Sequence, residues 1–493
     1  MRKGIAGTSA ALRFDVRPVL FVVGVLTIVV GVAMFVPGAV GLALGTPNGP
    51  AFMSAAGITI ALGGLVAAAN RVPVPQMTLR QIYVLTVLAW VAVPAVAALP
   101  FVFSELRLSY TDAFFEAMSG LTTTGSTVLI GLDAMPRSIL LWRGLLHWLG
   151  GVGIVVMAMA VLPLLRTGGM QLFHAESSDR YDKPLPRVTQ LVKVLLFAYV
   201  TLSGACAVAY WLAGMTGFDA VVHAMATIST GGYSSHDSSF AYFNSARLEW
   251  LGTLFMLTGA LPFVLYIRAG RGDWALLRDQ QVKAFLLVIL VATLVLTIWL
   301  MVRQATPVLD ALRLAAFNVT SIITTTGFAS ADYNIWGGLA LGVFFYLTFV
   351  GGCTGSTAGA IKIFRFRVMA IVLADHLFRR FSPHAVSRRS YDGRPLDDDV
   401  VEGVLAFAVV YAASVAVLAL CLGAMDLDWI TCLSGAATAL GNVGPGLGPI
   451  IGPVGNFAPL PDGAKWLLAF GMLLGRLELF TILVLLTPRF WRG

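Results

Sequence analysis

Four short segments of this chain carry groups that could replace the water around a cation: Thr122-Thr123-Thr124-Gly125-Ser126, Ser229-Thr230-Gly231-Gly232-Tyr233, Thr324-Thr325-Thr326-Gly327-Phe328 and Gly441-Asn442-Val443-Gly444-Pro445. A bare ion does not enter hydrocarbon. Its lost hydration must be replaced by oxygens at fixed positions, and extended Gly-rich backbone can aim several carbonyls at one axis, helped by Thr hydroxyls. Glycine serves there because some residues must take conformations closed to a side chain with a Cβ. The segments hold no Asp or Glu, the ring that would suit a calcium-like ion. A lone Thr-Thr-Gly is more often a turn. Four at equivalent places in a repeated span, short helix, loop, span pattern point instead to a pore with fourfold pseudosymmetry in one polypeptide.

The elements that must position these loops are apolar. Of 493 residues, 58% are hydrophobic and 12% charged, against roughly 25% charged in a soluble domain. Most of the surface must therefore face a lipid bilayer. The net charge of +8 is not spread as nucleic-acid binding would need. Lys and Arg gather in 166–188, 268–283, 362–394 and at both ends, while the opposite loops carry isolated acids such as Asp112, Asp133, Asp219 and Asp332. That asymmetry places the basic side and both termini in the cytoplasm. The apolar run from Val19 to Leu44 is too long for a signal peptide and reads as a retained span.

Ten spans of adequate length follow: 18–44, 51–70, 81–103, 139–165, 189–214, 247–268, 282–303, 335–371, 399–424 and 464–487. The expected fold is an all-α polytopic membrane protein. A two-span extension (1–75) precedes four pore repeats, at 76–166, 167–270, 271–394 and 395–493. Each repeat encloses a short helix, near 110–121, 218–228, 308–322 and 428–440. Glu116-Ala117-Met118 and His223-Ala224-Met225 begin nine residues before Gly125 and Gly232. That spacing favours Gly232 as the second filter glycine, and the adjacent Gly231 stays a candidate. Asp112, Asp219, Asp310 and Asp428 lie near the short-helix starts, where an acid caps the helix and meets its dipole. The 335–371 span is too long for one helix and holds Gly351, Gly352, Gly355 and Gly359 with Ser356 and Thr357 between. It predicts a break lining a cavity, since irregular backbone at membrane depth needs protein or water against it.

These residues resemble the TrkH/TrkG/KtrB/HKT superfamily of potassium transporters, and most closely its TrkH branch. The resemblance rests on the four loops, His147-Trp148-Leu149-Gly150-Gly151, the 351–359 run with Lys362, Asn442-Val443-Gly444-Pro445-Gly446, and Gly475-Arg476-Leu477-Glu478. The two extra N-terminal spans agree with that branch. The resemblance implies potassium as the transported ion. It implies a filter built on Thr123, Thr124, Gly125, Thr230, Gly231, Gly232, Thr325, Thr326, Gly327, Asn442, Val443 and Gly444. It implies an intramembrane gate of Gly351, Gly352, Gly355, Ser356, Thr357, Gly359 and Lys362, with Arg476 pointing at the pore. It implies a homodimer in the bacterial inner membrane, served by cytoplasmic nucleotide-binding regulatory subunits of the TrkA type. A Gly at 125, where related plant proteins that carry sodium have Ser, favours potassium.

An Arg at mid-membrane is costly and usually faces an interior cavity, which points Arg476 to the pore on physical grounds too; a salt bridge is the plain alternative. Lys362 also fits a marker of the cytoplasmic boundary. Arg143 and His147 share a helix face and fit packing near the outer interface better than an ion-coupling site. The four cysteines have no metal-ligand spacing and read as small buried side chains. The glycine run lacks the phosphate-loop spacing, so no nucleotide is expected on this chain. A proton- or sodium-coupled symporter is the rival within transport, disfavoured by the scarcity of buried acids. A membrane-embedded enzyme would need clustered His, Asp or Glu, and the six histidines are scattered.

Overall fold

The computed structural model describes residues 14–72, 77–157, 186–270, 272–273, 276, 278–382, 389–392 and 394–492. The basic segment 166–188 falls almost wholly outside the described residues, as do both extreme ends and parts of 268–283 and 362–394. Among the described residues the chain is helical apart from a small antiparallel pairing of Ser390–Tyr391 with Arg394–Pro395.

Among the described residues, seven helices are long and apolar enough to cross a membrane: Arg17–Ala43, Asn48–Ala69, Leu79–Phe103, Arg137–Val156, Val192–Leu212, Gln280–Gln304 and Asp398–Gly423. Their outward faces carry bare Leu, Val, Ile and Phe, as lipid contact requires. Arg137–Val156 differs, with 72% of its apolar window inside the protein. It runs through the centre of the fold, which explains its buried Arg143 and His147.

Three of the expected spans are broken. The 335–371 stretch divides into Gly338–Val350 and Ile363–Phe381 around the glycine run, as anticipated. The expected spans 247–268 and 464–487 need correction. The first is Ala246–Ala260 and Phe263–Ala269, bent by 97°. Pro262 at the break has no N–H to donate and disfavours helical backbone at Leu261. The second is Asp462–Arg476 and Phe480–Leu486, bent by 103°. Glu478 and Leu479 there have φ of 60° and 46°, which end a right-handed helix. Neither bend carries a run of glycines like that at 351–359.

The four short helices are Tyr110–Leu121, Gly217–Ile228, Val308–Ile323 and Trp429–Gly441. Their starts are capped largely as the acids suggested. Ser109 and Thr216 accept from the backbone N–H of Asp112 and Asp219, and each donates to the same residue's carboxylate. Asp428 accepts from the N–H of Thr431 at 3.0 Å. Asp310 instead accepts from Arg313. Cys206, Cys353 and Cys432 are buried, whereas Cys421 is exposed on a lipid-facing helix; all four are free.

Candidate ion-conducting site

Each short helix ends the same way. The N–H groups of Thr124, Gly231, Thr326 and Val443 reach back to Ser119, Ala226, Ser321 and Thr438 carbonyls at 2.9, 2.8, 2.9 and 3.1 Å. The residue before each, Thr123, Thr230, Thr325 and Asn442, has φ of 49°, 52°, 58° and 52°. This is the left-handed turn that commonly closes a helix, normally on Gly or Asn. Three threonines hold it here. A β-branched residue in that region is strained and persists only where its surroundings fix it.

The glycines follow two residues later, with φ of 90°, 82°, 84° and 103° at Gly125, Gly232, Gly327 and Gly444. Gly232, not Gly231, is therefore the equivalent of the other three. A Cβ on Gly125 would overlap the Gly231 carbonyl oxygen, and one on Gly232 the Thr326 oxygen. One on Gly327 would overlap the Val443 oxygen, and one on Gly444 would crowd the Thr124 oxygen. The four contacts close a cycle: each glycine lies against the carbonyl of the next loop, and the last returns to the first. Such a closed ring of backbone oxygens has the chemistry to replace a cation's hydration. Asn442 departs from the pattern in its side chain alone. Its amide donates to the Thr124 hydroxyl at 3.0 Å and to the Met472 carbonyl at 2.9 Å.

The chain leaving each glycine is held from behind by its own short helix. Glu116 accepts from the Thr127 hydroxyl and the Val128 N–H, each at 3.0 Å. His223 bonds Ser234 at 2.9 Å. Asn318 bonds the Ser330 hydroxyl at 2.9 Å and its N–H at 3.2 Å. Ser434 accepts from the Leu447 N–H at 2.9 Å. Asn318 lies nine residues before Gly327, the spacing that linked Glu116 and His223. That register could have found it, but Asn318-Val319-Thr320 lacks the Ala-Met that made the first two visible.

Arg143 and His147 are fully buried, which corrects the expectation of packing at the outer interface. Arg143 donates to Glu116 at 2.8 Å, to the Ser234 carbonyl at 2.7 Å and to the Thr127 hydroxyl at 3.1 Å. His147 contacts the Gly120 carbonyl and the Tyr233 N–H at 2.9 and 3.2 Å. Together they fasten the first loop to the second.

The run 351–362 lies almost wholly buried beneath the ring and bonds three of its quadrants directly. Thr357 donates to the Ile228 carbonyl at 3.1 Å and the Gly259 carbonyl at 2.9 Å, and lies 3.1 Å from the Thr230 hydroxyl. Gly359 N–H donates to the Thr325 hydroxyl at 2.8 Å. Ala360 N–H donates to the Gly441 carbonyl at 2.9 Å. Arg476 supplies the fourth link. It donates to the Thr122 carbonyl at 2.6 Å, to the Thr123 hydroxyl, and to the Thr357 carbonyl at 3.1 Å. The three left-handed threonines are thus held by hydroxyl bonds to this loop or to Arg476.

The rest of the loop is fixed from its sides. Gly355 O accepts from Phe263 N–H, and Cys353 N–H donates to Ala260 O, both at 3.0 Å. Ser356 donates to the Cys353 carbonyl at 2.6 Å. Gly352 O accepts from Ile363 N–H at 3.1 Å. Gly351 has φ of 71°, and a Cβ there would overlap the Gly359 oxygen. Lys362 is buried, with its ammonium on the Ala358 carbonyl. Arg476 has no ion pair with Glu478. That carboxylate is taken by Arg365, which is fully buried and stacks 3.7 Å from the Phe407 ring centroid. Sequence spacing gave no sign of the Arg365–Glu478 pair, because 113 residues separate the partners.

Above the ring, Gly125, Gly232, Gly327 and Gly444 open on a vestibule that also meets His236, Asp237 and Phe457. Below it, a second cavity is bounded by Gly355, Gly359, Lys362, Arg476 and Glu478. The loop and Arg476 lie between the two. At the outer rim, partial burial pushes the Asp133 carboxyl up. Hydrogen bonds from His236 and the Asp237 backbone outweigh that and hold it below its usual range.

Comparison with known proteins agrees along nearly the whole chain. The family described as TrkH, cation transport protein, matches residues 48–492. The Trk system potassium uptake protein TrkI of Halomonas elongata is 51% identical, covering 96% of this chain and 97% of the relative. The Trk system potassium uptake protein TrkH of Escherichia coli is 38% identical over 97% of this chain and 99% of its own length. The crystal structure of the potassium transporter TrkH from Vibrio parahaemolyticus superposes with a TM-score of 0.89 at 36% identity, covering 96% of this chain and 99% of that one. The chain belongs to the TrkH family of cation transport proteins.

Proposed function

We propose that the chain takes up potassium across the bacterial cytoplasmic membrane, as the translocating subunit of a Trk-type system. The observation that carries this reading is the closed cycle of Gly125, Gly232, Gly327 and Gly444, each against a carbonyl of the next loop. Potassium enters the outer vestibule, exchanges water for these carbonyls and meets the 351–362 loop. The loop and Arg476 are the gate. They obstruct the path, and Arg476 adds a cationic barrier on it. Naming of the relatives as Trk system potassium uptake proteins supports the choice of ion and the place in a multi-component system. The protomers pair as a homodimer with one pore each. Cytoplasmic nucleotide-binding subunits of the TrkA type act on the gate from the basic side, where both termini lie. Segments 166–188 and 362–394 are the docking surface.

The test is growth of a bacterial strain lacking its own potassium uptake. Expression of this chain with its regulatory subunit restores growth at low potassium. A membrane-inserted, stable chain that leaves growth unrestored would refute the reading.

A further inference from the structure

We propose that Glu116, Arg143 and Tyr233 form a charged brace that positions the first two filter loops and sets discrimination against sodium. This rests on the filter reading above. The four quadrants solve one mechanical problem, holding the chain just after each glycine, with different chemistry. In the third it is the neutral pair Asn318 and Ser330, and in the fourth it is Ser434 and the Leu447 backbone. In the first it is a buried carboxylate with a buried guanidinium, Glu116 and Arg143, at 2.8 Å with side chains 0% and 2% exposed.

Arg143 does not stop at its own repeat. It donates to the Ser234 carbonyl of the second loop at 2.7 Å and lies 4.0 Å from the Tyr233 ring centroid. Tyr233 follows Gly232 directly and returns its hydroxyl to the carbonyls of Glu116 and Ser126 at 2.8 and 3.3 Å. Residues next to two filter glycines are thereby locked to one ion pair. A buried pair is rarely the cheapest way to fill such a space, since shape-matched neutral groups are often as stable. What it adds is directional, strong bonds that resist a shift of the attached backbone. Carbonyls held this way cannot close on a smaller ion, and the pair's charges orient the dipoles that face the ion.

The experiment compares wild type with the double variant Glu116→Gln with Arg143→Met, which removes both charges and keeps most of the volume. Purified proteins are reconstituted, and rubidium uptake is measured against competing potassium and sodium. The preference for potassium over sodium falls about tenfold, the effect of one strong buried hydrogen bond on the ring. An unchanged ratio overturns the proposal, because a merely structural brace alters the amount of active protein and not the ratio. Asn318→Ser serves as the comparison from a neutral quadrant; a shift as large as the double variant's also overturns the proposal. If the double variant does not assemble, Tyr233→Phe removes a single hydroxyl, and there the ratio falls about threefold or the proposal fails. Wild type without potassium-competed uptake refutes the filter reading itself, a result distinct from an unchanged ratio in the variant.

Discussion

Replacing Arg476 with Ala should open the path. The guanidinium joins the end of the first short helix to the 351–362 loop, through Thr122 on one side and the Thr357 carbonyl, 3.1 Å away, on the other. Hydrogen bonds from charged donors contribute about 1.5–3 kcal/mol each. Loss of the Thr357 bond weakens the seated loop by that amount, since the bonds to Thr122 and Thr123 lie on the other side of the joint. A coupling of about 1–3 kcal/mol corresponds to a 5–150-fold change in an equilibrium, so the conducting fraction should rise about tenfold or more. Removing the cation also lowers the barrier on the path, an effect of the same sign. Thr357, Gly359 and Ala360 keep their bonds to the other three quadrants, so the loop stays folded. The assay is rubidium flux into proteoliposomes holding equal amounts of monodisperse protein. Arg476→Lys, which keeps the charge without the fork of donors, should fall between. A folded Ala variant with unchanged or lower flux would refute the reasoning.

Other consequences follow from the same geometry. Gly125→Ser places a side chain at φ of 90° against the Gly231 carbonyl; it should reduce the potassium preference over sodium, read by competition, and an unaltered preference would remove Gly125 from the ring. Deleting two or three residues within 351–359 should raise flux, measured as above, because the bonds of Thr357, Gly359 and Ala360 to three quadrants and the link to Arg476 cannot then be made together. Arg365→Met leaves Glu478 buried without its partner and should cost about 3–5 kcal/mol, seen as a large loss of thermal stability in detergent. Adding Glu478→Gln should recover most of it; a double variant no more stable than the single would contradict the pairing.

The sequence made the repeats visible because each rests on local signals. Short apolar runs, acids at helix starts and a glycine three or four residues past each short helix are all read along the chain. The break at 351–362 was visible for the same reason. Left-handed backbone at Thr123, Thr230 and Thr325 was not, since threonine gives no local cue for it. Its cause lies in hydroxyl partners more than 30 residues away, Arg476, Thr357 and Gly359. The bends at Pro262 and at Glu478–Leu479 hide in sequences apolar enough to read as continuous spans. Arg143 was misread as an interfacial residue because its partners, Glu116 and Ser234, come from other elements. Register could have recovered Asn318, while the Arg365–Glu478 pair required the fold.

The central claim is a potassium-selective ring formed by this chain alone. The deciding measurement is rubidium uptake into proteoliposomes containing the purified chain and loaded with potassium, with potassium, sodium and lithium in turn as external competitors. The account predicts uptake that potassium blocks and sodium does not, and that the Arg476→Ala variant enhances without loss of selectivity. Equal block by sodium and potassium in both proteins would contradict it.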